Sequence, residues 1–188
     1  FSESVDVLNQ LKLSNPSGYE EVCFDIGWSF LSYYDTDIDR DRYANAEKWF
    51  RNMRDNGTEN GDIAAIFCDI SECTTKINQL RGSKVIQTQE LRQQRQSLWR
   101  MVQDLKLKAE NYEVDYKLQV WVEIDALIDM NISDFLEVAS PKELKALLTE
   151  IKSGAASIPK SNPDIQKLTQ QLQKSIAETI LRVETAAN

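Results

Sequence analysis

Histidine is absent from the 188-residue chain, and glycine (6), proline (4) and cysteine (3) are few. Without histidine, and with only three cysteines, the common zinc ligand sets are excluded, and a serine or cysteine nucleophile has no imidazole base. Three cysteines, Cys23, Cys68 and Cys73, cannot all pair within one chain, and no CxxC spacing joins them. Cys23 and Cys68 lie in apolar runs and read as small core residues, while no motif around Cys73 marks a reactive thiol. A reduced, cytoplasmic setting follows, or an extracytoplasmic one if a membrane span lies upstream. Phe1 in place of methionine is expected of a piece of a longer protein. The scarcity of glycine and proline disfavours an all-β fold with its many turns, and 41% hydrophobic residues exclude disorder. No apolar run approaches the ~20 residues of a membrane-spanning helix, and no signal peptide is visible.

What is present is charge, unevenly spread. Residues 1–72 hold 6 basic and 15 acidic residues, 73–108 hold 8 and 2, and 109–188 hold 8 and 13. The basic island comprises Lys76, Arg81, Lys84, Arg92, Arg95, Arg100, Lys106 and Lys108, but a net charge of -8 repels nucleic acid, and none is expected to bind.

Apolar residues recur at helical spacing throughout. A short amphipathic segment with Val5, Leu8 and Leu11 ends at the turn residues 14–18. A helix over about 19–34 is apolar on nearly every side and must be enclosed by neighbours. Gly27 within it costs about 1 kcal/mol of helix propensity, which implies close approach by another helix. A second helix over about 41–56 carries Tyr43, Ala46, Trp49, Phe50 and Met53. A third runs from the N-cap Asp62 to Gly82. Residues 83–130 contain no glycine or proline, and a break is expected near 109–115, where Asn111 is the weakest helix former. Ser140, Pro141 and Glu143 spell a capping box opening a helix to about Ser153, closed by Gly154. A small-residue linker, 154–162, then leads to a last helix capped by Asn162, with the stripe Ile165, Leu168, Leu172, Ile176, Ile180 and Val183.

Residues 19–56 resemble a tetratricopeptide hairpin: Cys23, Ile26, Gly27 and Phe30 match the first helix, and Ala46 and Phe50 the second. The connection is longer than in a regular unit, since Gly27 stands nineteen residues before Ala46 where about twelve is usual. With the later runs 63–77 and 91–102, the pattern over 19–110 resembles the tetratricopeptide-like C-terminal regions of certain bacterial serine/threonine protein kinases. The resemblance implies a regulatory or scaffolding region attached to a kinase. The kinase's own glycine-rich loop, HRD and DFG motifs are absent, so the chain itself is not expected to be an enzyme.

Asp35, Asp37, Asp39 and Asp41 alternate as in a calcium loop. Arg40 stands where that loop needs glycine and Ala46 where it needs glutamate, so no metal is expected. Carboxylate pairs such as Glu20 with Glu21 or Glu123 with Asp125 are not distinctive among 30 acidic residues. No cofactor is expected. The sequons at Asn56 and Asn131 read as chance occurrences. Trp28, Tyr33, Trp49 and Trp121 are the candidates to line a partner or ligand groove, Trp121 being the expected exposed member among Gln119, Glu123 and Asp125.

The expected fold is therefore all-α, a single domain of residues 1–188: an N-terminal helix and turn (1–18), the tetratricopeptide-like hairpin (19–56), further helix pairs (62–153) and a capping helix (163–188). Stacked as a short solenoid, it would bind a protein or peptide partner. A small-molecule sensor with an aromatic pocket and a self-associating module using the last helix are the alternatives.

Overall fold

A computed structural model describes residues 7, 10–32, 45–46, 48–51, 61–82, 88–159 and 162–187. The helices are α1 (Pro16–Ser32), α2 (Gly61–Gly82), α3 (Thr88–Ala109), α4 (Val114–Met130), α5 (Ile132–Leu136), α6 (Pro141–Ser157) and α7 (Pro163–Ala186). Residues 10–14 and 48–51 are also helical, and no strand occurs among the described residues. The fold is all-α. The chain divides into two compact units, Phe1–Lys76 and Ile77–Asn188, and the division falls inside α2.

In the first unit, residues 14–18 start a helix, although the sequence suggests that they only end one. The side chain of Asn15 accepts the Gly18 amide at 3.2 Å, and Pro16 occupies the first helical position, where its missing N–H costs nothing. The core is aromatic. Phe50 lies between Phe24, with ring centroids 5.8 Å apart, and Phe67, at 5.6 Å. Gly27 admits this ring: a Cβ built there would lie 2.8 Å from Phe50 Cε1. The close approach expected at Gly27 is thus present. Cys23, Cys68 and Cys73 are buried in the same unit. Burial, and then the neighbouring Cys23 thiol, push the Tyr19 phenol up to about 12.

The second unit is arranged around α4, which packs against α3, α5, α6 and α7. Contact between α4 and α7 joins helices that are not neighbours in the chain. The expected break is found at residues 110–113. The capping box forms as its spelling requires: Ser140 accepts the Glu143 amide at 3.3 Å, and the Glu143 carboxylate accepts the Ser140 amide at 2.7 Å. Those hydrogen bonds hold the Glu143 carboxyl below the usual range.

Gly154 does not close α6, which continues to Ser157. A Cβ there would lie 2.7 Å from Trp121 Cη2, so this glycine makes room for an aromatic ring within the helix. Asn162 and Pro163 open α7 as expected. The α7 stripe lies against α4 and α6 of its own chain, with Leu172, Ile176 and Val183 buried.

Candidate functional site

Of the expected groove residues, the side chains of Trp49 and Trp121 are described. Trp121 is 2% exposed, not the exposed member. Placed on the face of α4 that meets α6, its ring fills the space at Gly154, with the Lys117 ammonium 5.9 Å from its centre. Trp49 is half-buried; the Trp28 side chain and all of Tyr33 lie outside the described residues. The acidic loop with Asp35, Asp37, Asp39 and Asp41 also lies outside them.

A different surface is open between α3 and α6. It is a groove of about 290 Å³ lined by Trp99, Gln103, Lys106 and Leu107 of α3 and by Glu143, Ala146, Leu147 and Glu150 of α6. Helical spacing assembles each wall, since residues three and four apart share a face. Leu107 is 62% exposed, and Ala146 is exposed with it. Trp99 is held from behind by the edge of Phe135, with centroids 5.6 Å apart. An ion pair of 3.0 Å between Lys106 and Glu150 spans the walls, and Lys106 also stands 3.7 Å from Glu110. The wall chemistry is therefore apolar with charged edges. Nothing in the sequence joined 99–107 to 143–150, because the pairing of distant helix faces is a tertiary fact.

Part of the basic island is engaged by carboxylates. Arg81 and Arg95 both bind the side chain of Asp134, which is wholly buried on α5; the Arg95 contact is 2.7 Å. Asp134 and its short helix escaped sequence reasoning, as five residues carry too little periodicity to stand out.

A polar seam runs between α4 and α7. The Ser175 hydroxyl donates to Asp125 Oδ2 at 2.5 Å, and Arg182 donates to Asp129 Oδ2 at 2.6 Å. The other oxygens, Asp125 Oδ1 and Asp129 Oδ1, are buried without a hydrogen-bond partner. Burial raises the Asp125 carboxyl above its ordinary range, opposed by the Ser175 and Thr179 hydroxyls, raised again by Asp129 and lowered by Arg182. Glu123, two residues from Asp125 and also buried, projects from another side of α4, so the two are not an acid–base pair. The Asn131 sequon is likewise spoken for: its side chain is buried and donates to the Leu127 carbonyl at 2.9 Å.

No described helix is long and apolar enough to cross a membrane. No group of three or more potential metal-binding side chains occurs among the described residues. Comparison with protein-family models, curated proteins and solved structures found no match to the chain.

Proposed function

We propose that this chain is a non-catalytic protein-interaction or regulatory domain, and that the groove between α3 and α6 receives an amphipathic helix of a partner protein. The observation that carries the reading is the exposure of Leu107 and Ala146 beside Trp99 in a cleft bounded by two helices. Such a cleft takes the apolar face of a third helix through anchors at i, i+3 or i+4 and i+7. Two glutamates against one lysine on its walls favour a partner helix with basic flanks. Attachment to a larger signalling protein, such as a bacterial serine/threonine kinase, is part of the proposal and rests on the resemblance of residues 19–110 alone.

The test is selection of binders to the full chain from a library of amphipathic helices. Selected helices should lose about tenfold or more in affinity on Leu107→Asp or Ala146→Glu, equivalent to about 1.4 kcal/mol. They should be unaffected by Leu181→Asp, a change at an exposed leucine on α7. Binders insensitive to both groove variants would refute the reading.

A further inference from the structure

We propose that the seam between α4 and α7 is a proton-operated latch, in which Asp125 takes up a proton and donates it in a hydrogen bond to Asp129, so that burying these two side chains beneath α7 costs less and α7 stays more firmly on α4. Two buried carboxylate oxygens, Asp125 Oδ1 and Asp129 Oδ1, accept no hydrogen bond. Buried acceptors without donors are costly, and the residues that carry them stand one helical turn apart on one face of α4. Their other oxygens are already committed, to the Ser175 hydroxyl and to the Arg182 guanidinium. The Thr179 hydroxyl acts on Asp125 but donates to the Ser175 carbonyl at 3.2 Å.

One proton from solvent satisfies both orphans. It forms an O–H on Asp125 Oδ1, which then donates to Asp129 Oδ1; Asp125 becomes neutral, and Asp129 Oδ2 still accepts from Arg182. The charged groups that act on Asp125 include Asp129 on its own helix and Arg182 on α7. Burial places this uptake above the ordinary aspartate range.

The sign follows from linkage. The folded chain holds the proton more tightly than the unfolded one, so the stabilisation is fully present below the unfolded value and is lost as pH rises through the folded one. The whole chain is to be followed by amide exchange of α7, corrected for intrinsic rates, between about pH 4 and about pH 8. Protection of α7 in Asp125→Asn, whose amide supplies the donor permanently, should exceed that of the wild type at the alkaline end. This excess should shrink severalfold on acidification. Ser175→Ala removes a hydroxyl that favours the ionised form, so the wild-type change should move to higher pH in that variant, a displacement that loss of packing alone would not produce.

A pH-independent difference between Asp125→Asn and the wild type overturns the proposal. So does a rise in α7 protection on adding calcium or magnesium that is lost in Asp125→Asn, which would make the two oxygens a cation site.

Discussion

At the residue scale, two glycines and one aspartate bear more than their size suggests. Gly27→Leu would drive a side chain into the buried Phe50 ring, and overpacking of this kind costs about 1–3 kcal/mol. Chemical denaturation should show this loss. Gly154→Ala sets two effects against each other: alanine gains about 1 kcal/mol of helix propensity, while its methyl meets Trp121 closer than real contacts allow. The clash should win, with a net loss of about 1 kcal/mol, and Trp121→Phe should relieve it in the double variant, a non-additivity that a mutant cycle measures. Asp134→Ala leaves Arg81 and Arg95 without their shared buried carboxylate and should cost about 1.5–3 kcal/mol, since both arginines keep access to solvent. Arg81→Ala should cost less than Arg95→Ala, because the Arg81 side chain is 41% exposed and that of Arg95 19%. Tyr19 predicts an alkaline effect: its contribution holds below the ordinary phenol range and is lost as pH rises through about 12, to be seen by ultraviolet titration.

At the element scale, the parts legible in the sequence were those set by neighbours in the chain. The Ser140 box, the Asn162 cap with Pro163 and the break after Ala109 need only local chemistry, and all are present. Asn162→Ala should cost about 1 kcal/mol, measured as a fall in melting temperature. Misreadings arose where local and tertiary causes share a residue type. Gly154 has the identity of a helix stop, but its role is to face Trp121; Trp121 has polar neighbours along the chain, but its own side of α4 is covered by α6. Asn15 and Pro16 read as a turn, but the same residue types also serve as the cap and first position of a helix. The α3–α6 groove was not legible at all, since its walls lie some forty residues apart in the chain.

At the scale of the whole molecule, the division inside α2 makes no break in the apolar pattern, because one stripe runs on through Ile70, Cys73 and Ile77, although the change from acidic to basic composition after residue 72 falls close to it. Removal of residues 160–188 would strip α4 and α6 of the helix that covers them. Burial of Leu172, Ile176 and Val183 contributes roughly 1.5–3 kcal/mol each, so the truncated chain should aggregate or lose cooperative unfolding, as light scattering and calorimetry would show. The same arrangement sets a clock on biosynthesis. Asp125 meets Ser175 and Asp129 meets Arg182 across 50 and 53 residues. At roughly 5–20 residues per second, the face of α4 therefore waits about 3–10 seconds on the ribosome before its cover exists. During that interval the nascent chain presents a bare helix to whatever holdase or neighbouring polypeptide is nearest.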